Sequence, residues 1–564
     1  MRILVRALPL LALIGLFAAA ETSLRVKRGP PPREPSWANF DYYYTDIYKP
    51  FFVLSSAGGA VYVSHRERSA AQSFPAEKPR DAFRVFVLGG SVALSYGEPG
   101  GAQIVFRRYL AKLFPGKQIE LIGCGMAGYD SYRDAIVQNE VLEHQPDAVV
   151  LMSGNNEYFT PETASPAAYR LTSLLRKLWV LRLAVDRMKA LRPAPPTIPE
   201  RLANFEANLR LMAGRAKEKK VPMIFCTLPA NVRGLPPLQS IPPFRDADYF
   251  AALEELDSGD EFLASRMFGR YVEAHPDEPF GHYWLARALE RRKLFAQARE
   301  HYLRAVDLDD PGERCSPKRN EIIRRVAKDT GMILADLDAA FNGIAERGLP
   351  DGRIFVDGCH WRREYYPLAS WTILRSLDDA SRPGAAAEPA WFDSERARVL
   401  KPAFGARERN EYGDEAIYKA MSYAAEMDGR ISEGAVALLE DAASRDPARL
   451  DFLAESFDHL SSAFREYPWL NDSAGDIRDH WPNISLQVGE AYRRRRQYAK
   501  ALRYFDRVLR AGAAPDRPLL LKAMTLAAMR RVPEAKACLD QISAASRRPR
   551  EFVYWRARIR GDAD

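Results

Sequence analysis

Cysteine is scarce and scattered in this chain, with five residues among 564. Cys124, Cys226, Cys315, Cys359 and Cys538 contain no CxxC pair, and an odd number cannot all pair within one chain, so no disulfide framework is expected. Cys124 and Cys226 lie in apolar segments and read as small buried hydrophobes. The eight histidines form no HExxH and no ligand-spaced cluster, which leaves no metal site and no cofactor to expect. An excess of one charge is missing too: 82 Lys and Arg face 74 Asp and Glu, for a formal +8. Over this length that is too little to mark a nucleic-acid-binding protein. Even Arg493-Arg494-Arg495-Arg496 reads as a solvated helix face.

What is present starts at the N-terminus. Arg2 and Arg6 precede an uncharged Leu- and Ala-rich stretch from Ala7 to Ala20, closing on Ala18-Ala19-Ala20 before Glu21. A basic start, a short apolar run and small residues describe a secretory signal over residues 1–20. The run is short for a membrane span, which takes about 20 residues. If Arg6 snorkels, an uncleaved anchor is the rival reading. Either way the expected location is the periplasm or cell envelope. Residues 21–80 follow as a Pro-rich tether, Val26 to Pro35, and an aromatic segment, Asp41 to Tyr62, expected to pack on the next domain.

From Phe83 onward, short apolar runs alternate with amphipathic stretches. The runs are Phe83–Leu88, Ile119–Ile122, Ala148–Met152 and Val221–Leu228; between them lie Ile104–Leu113, Tyr132–Glu143 and Leu202–Lys219. This order predicts an α/β domain with a parallel sheet covered on both faces. Ligands in such sheets bind beyond the carboxyl ends of the strands. Ser91, Gly128 and Asn156 each follow one of these runs. Helical patterns then replace the alternation over Asp246–Asp309, with a period near 34 residues: Gly259, Ala264, Phe268 and Pro276 recur as Lys293, Ala298, Tyr302 and Asp310. This resembles tetratricopeptide repeats, and two units are too few to stand alone. Ser316-Pro317 predicts a helix start, Asn320–Lys328 a helix, and Met332–Asp336 a last strand. Past Ala386 the pattern is helical again, with Val488-Gly489, Tyr492, Ala501 and Phe505 in the same register, and Ala523, Ala535 and Leu539 in a further unit. The expected division is therefore 81–240 and 316–385 for the two parts of the sheet domain, 241–315 for a helical insertion, and 386–564 for a helical C-terminal region.

The chemistry sits in four short blocks. Gly89-Gly90-Ser91 ends the first run, and Asp357-Gly358-Cys359-His360 places a carboxylate and an imidazole on one loop. A serine hydroxyl needs a base within hydrogen-bond reach, and that base needs an orienting acid. Gly123-Cys124-Gly125-Met126-Ala127-Gly128 and Gly154-Asn155-Asn156-Glu157 offer donors for an oxyanion. In this order the blocks resemble those of the SGNH/GDSL hydrolase superfamily, over roughly residues 81–235 and 318–375. The resemblance implies a flavodoxin-like three-layer fold, Ser91 as nucleophile, His360 as base, Asp357 as its acid, and Ser91, Gly128 and Asn156 as the oxyanion hole. Gly90 departs from the Asp of the family name, and Glu157 from the usual Asp. Asn231 or Arg233, on the loop after the fourth run, are candidate substrate contacts. The implied activity is that of an exported esterase or deacetylase acting on an acylated carbohydrate through an acyl-serine. An exopolysaccharide O-acetyltransferase using the same residues, or an envelope scaffold whose repeats bind a protein partner around an idle core, are the alternatives.

Overall fold

The computed structural model describes residues 15–27, 49–157 without 56–59 and 67–68, 177–189, 197–237, 246–381 without 310–312, 391–400, 431–455 and 481–561 without 513–514 and 548, together with a few isolated positions. Most of the expected leader, the tether and Tyr42–Tyr44 lie outside them. No helix among the described residues is long and apolar enough to cross a membrane.

Three short strands come first, β1 Phe52–Ser55, β2 Val61–Ser64 and β3 Ser73–Pro75, forming an antiparallel meander. Its aromatic side chains close one end of the core: Phe52 and Phe74 pack edge-on against each other and against Phe86. Glu140 anchors the meander by accepting from the backbone N–H groups of Phe51 and Phe52.

The main sheet has five parallel strands: β4 Ala82–Gly89, β5 Gln118–Gly125, β6 Ala148–Met152, β7 Met223–Thr227 and β8 Ile333–Asp336, in the order β5-β4-β6-β7-β8. This is the doubly wound order with its switch point between β4 and β6. The strands are near-continuous apolar runs because both faces are covered. Val85, Phe86, Val87 and Leu88 are fully buried, each contributing about 1.5–3 kcal/mol by leaving water. Helices α1 Ser91–Leu94 and α2 Ala102–Leu113 follow β4, α3 Ser131–Val141 follows β5, and α4 Ile198–Glu218 precedes β7. Helix α4 begins earlier than the apolar pattern suggests. Thr197 and Glu200 form a capping box there, with Pro199 in the first turn.

After β7 the described chain runs through helices α5 Ala247–Ser258, α6 Glu261–Ala274, α7 Pro279–Arg291 and α8 Phe295–Leu308. Successive helices pack on one another. Ala264, Phe268, Ala298 and Tyr302 are buried at their crossings. The chain then re-enters the sheet domain through α9 Pro317–Thr330, capped by Ser316. β8 pairs with β7, and α10 Leu337–Ile344 and α11 Tyr366–Ser381 follow. Helices α3, α4 and α9 pack together, and α2 with α11, which makes the two outer layers.

Beyond the sheet domain lie further helices, among them α12 Glu433–Arg445, α13 Pro447–Glu455, α14 Trp481–Arg494, α15 Tyr498–Arg510, α16 Asp516–Ala528, α17 Val532–Asp540 and α18 Arg550–Arg560. A Cβ at Gly489 of α14 would meet Phe505 of α15 at 2.6 Å, so only glycine allows that crossing. One expectation is corrected here. Arg493 and Arg494 are not a solvated face: Glu490 accepts from both, Arg494 pairs with Glu433, and Arg493 reaches Asp257 of α5. Only Arg495 and Arg496 of that run are exposed. Helix α18 also returns to α5, with Tyr554 and Arg558 both on Glu254. The inner face of the insertion thus meets the C-terminal helices.

Candidate active site

Strand β4 delivers Ser91 to the carboxyl edge of the sheet. Gly89 makes this possible, because its φ is +144° and a Cβ there would sit 2.2 Å from the carbonyl oxygen of Met152 on β6. Gly90 has a different reason. A Cβ there would lie 2.5 Å from Nδ2 of Asn156. The space an Asp side chain would need is filled by the Asn156 amide, itself held by donation to the carbonyl of Tyr129 at 2.9 Å. The missing Asp therefore leaves no gap at the serine turn.

The loop after α10 folds back on itself: Val356 N–H donates to the carbonyl of His360, and Arg362 N–H to that of Ile354. This small hairpin presents Asp357 and His360 toward β4. Ser91 Oγ lies 2.7 Å from His360 Nε2, and His360 Nδ1 lies 2.7 Å from Asp357 Oδ2. The other carboxylate oxygen, Oδ1, accepts the backbone N–H groups of Cys359 and His360 at 2.9 and 2.8 Å. Asp357 is buried, whereas about a third of the His360 side chain (34%) is exposed. Burial opposes charge on the imidazole, but the Asp357 carboxylate outweighs it and holds the pKa of His360 well above the usual histidine value. Residues 269 positions apart in sequence thus form one hydrogen-bonded relay.

Ser91 N–H is the first donor of α1 and has no intrahelical acceptor. Gly128 stands in the loop between β5 and α3. Asn156 is buried beside Gly90, and the bond to Tyr129 uses one of its two amide protons. Its neighbour Glu157 faces inward, accepting from the N–H and the hydroxyl of Ser131 at 3.0 and 2.7 Å. Burial, reinforced by nearby Asp130, pushes its pKa up to about 7. Glu157 joins the loop after β6 to the start of α3.

Asn231 and Arg233 are both tied into neighbouring loops. Asn231 is fully buried; its side chain donates to the carbonyl of Asp357 at 2.9 Å, its N–H to that of Gly358, and its Oδ1 accepts from Gly234. Arg233 is occupied by Glu290, Glu346 and Asp351. Both side chains are engaged in holding the loop, and a polar residue after a strand gives no sign of such partners. Arg314 carried no signal at all: in Glu313-Arg314-Cys315-Ser316 it looks like a solvated charge, yet it is buried beside the Asp357 loop.

Among the described residues, Asp357, Cys359 and His360 bring three ligand-type atoms within 4.8 Å of one another. They make a poor metal site. The Asp357–Nδ1 bond already uses two of those groups, and burial pushes the Cys359 thiol up, away from the thiolate a metal requires. All five cysteines are buried and unbridged.

Comparison with known protein families and with curated proteins gives no match. Several solved structures are similar. One is a lipase/acylhydrolase from Enterococcus faecalis, at 16% identity over 54% of this chain and 100% of that one, with a TM-score of 0.27. Another is the acetyl xylan esterase AlAXEase, at 15% identity over 53% of this chain and 100% of that one, TM-score 0.27. A third is Axe2, an acetylxylan esterase from Geobacillus stearothermophilus, at 14% identity over 53% of this chain and 94% of that one, TM-score 0.26. In the order of its motif blocks, its doubly wound sheet and the meeting of Ser91, His360 and Asp357, the chain resembles the SGNH/GDSL hydrolases over its sheet domain.

Proposed function

We propose that this protein is an exported serine esterase or deacetylase that cleaves an acyl ester of a carbohydrate or related molecule. The observation that carries the reading is the continuous relay of two 2.7 Å hydrogen bonds from Ser91 through His360 to Asp357. Ser91 Oγ attacks the ester carbonyl while His360 Nε2 takes its proton, and Asp357 stabilises the imidazolium. The carbonyl oxygen becomes an oxyanion within reach of Ser91 N–H, Gly128 N–H and the Asn156 amide. The C–O bond to the alcohol breaks, and His360 returns the proton to the leaving alkoxide. Water, deprotonated by His360, then releases the carboxylic acid from Ser91. Arg2, Arg6 and the apolar run to Ala20 support export.

The test is hydrolysis of short-chain chromogenic esters by wild type and Ser91→Ala. Turnover by wild type alone supports the reading; equal inactivity of both on a broad acyl panel refutes it. Repeating the reaction with an acetyl donor and a glycan shows whether water or a sugar hydroxyl takes the acyl group.

A further inference from the structure

We infer that Arg314 is the positioning residue for the catalytic base, and that through Asp309 it makes the helical insertion part of the active site's framework. This rests on the proposed roles of Ser91 and His360.

The loop after β7 turns several backbone carbonyls inward at one point. Arg314 meets them with a single guanidinium: Nη1 donates to the carbonyls of Asn231 at 2.9 Å and Leu235 at 2.7 Å. Its Nη2 donates to the Asp309 carboxylate at 2.6 Å. Both side chains of this ion pair are 1% exposed. Only a fork of N–H groups can serve several acceptors in this geometry, and each carbonyl left alone in the interior would pay the cost of an unmet hydrogen bond. Asn231, fixed by Arg314, passes the constraint on: its amide holds Asp357 and its N–H holds Gly358. The Arg314 stem also closes on Gly358, where a Cβ would lie 2.9 Å from its Cγ.

The same segment reaches the other half of the site. Cys315 N–H donates to Asn155 at 2.9 Å, and Arg319 spans the carbonyls of Gly154 and Arg314. Asp309 is the residue that ends α8, the last helix of the insertion. The exit of the insertion therefore fixes the loop of the base and the loop of the oxyanion donor together, and a shift of the insertion against the sheet moves both.

The test uses the full chain. A fluorophosphonate, which bonds to Ser91 Oγ with loss of fluoride, is followed as a labelling rate against pH. The downfield proton resonance of His360 Nδ1–H is recorded independently of activity. Arg314→Met and Asn231→Ala are expected to label roughly tenfold to a hundredfold more slowly, with the pH midpoint moved down toward that of an ordinary imidazole and the resonance broadened or lost. Arg314→Lys, still able to pair with Asp309, should recover part of the rate. If Arg314→Met does not fold, Asn231→Ala decides. Wild-type rate, midpoint and resonance in Asn231→Ala and in every folded Arg314 variant overturn the inference. A wild type that is not labelled overturns the hydrolase reading instead, and the resonance still reports whether Arg314 orients the imidazole.

Discussion

The sheet domain and the C-terminal helices both bury charge and both depend on particular glycines, but for different ends. In the sheet domain, Gly89 and Gly90 clear space at a strand end for the Met152 carbonyl and the Asn156 amide. In the helical region, Gly489 clears space for a ring, so that two helices can cross. Buried polar groups divide in the same way. Arg314, Asn231 and Asp357 form a chain of hydrogen bonds that ends on one imidazole. Glu490 with Arg493 and Arg494 is closed on itself, its carboxylate shared between two guanidiniums and joined to Glu433 and Asp257. The first network keeps one member, His360, reachable from solvent; the second joins helices to one another.

The largest expected effect is in the sheet domain. Ser91→Ala and His360→Ala should each lower kcat by roughly 10⁴–10⁶, and nearly equally, because the pair acts as a unit. Ester turnover that survives His360→Ala would break the distinction between the two networks. Asn156→Ala should lower kcat by roughly 10²–10³ with little change in KM, since its amide acts on charge that develops only in the transition state; steady-state kinetics check this. In the helical region the readout is stability instead. Glu490→Ala leaves two guanidiniums buried without their shared carboxylate and should cost about 3–5 kcal/mol, seen as a lower thermal midpoint while Ser91 labelling of the folded protein persists. Gly489→Ala should cost about 1–3 kcal/mol by overpacking against Phe505, measured by denaturant unfolding.

The smallest effect is one of pH, and it runs in opposite directions in the two regions. With His360 as the proposed base, activity requires its neutral form, whose pKa is raised, so the rate should climb as pH rises above the ordinary imidazole range. A flat profile from pH 5 to 8 would count against His360 as the base. The stability that the His360–Asp357 pair supplies is fully present below the unfolded histidine pKa and is lost as pH rises through the folded one. Glu490 behaves the other way. Burial resists its charge, but Arg493 and Arg494 prevail and hold its pKa down at about 2. Its contribution is present above the ordinary glutamate pKa and is lost only as pH falls toward that value. Acid unfolding monitored in Glu490→Gln against wild type measures this term.

Much of the architecture was legible because it is local. Short apolar runs gave strands close to their observed bounds, and Ser316-Pro317 gave a helix start, since a capping hydroxyl and a missing N–H act within one turn. Ser91, Asp357 and His360 could be named as candidates because a serine nucleophile needs a base and the base an acid, and because the short blocks that carry them stand in the order of the SGNH/GDSL motifs. The solvated reading of Arg493 and Arg494 failed because their partners, Glu433 and Asp257, come from distant helices, and charge patterning reports only neighbours along the chain. Asn231 looked like a rim contact for the same reason: its acceptor lies on a loop more than a hundred residues away.

The chain's own order of residues dictated which elements form and which side chains carry reactive groups, because propensity, capping and acidity reside in single residues and short spacings. Folding in three dimensions alone decided that β8 returns beside β7 after an inserted run of helices, that the Asp357 hairpin lands on Ser91, and that Arg314 is a structural tie rather than a surface charge. Those outcomes depend on angles and distances between segments far apart in the chain, set by packing the whole core at once, and no window of sequence contains them.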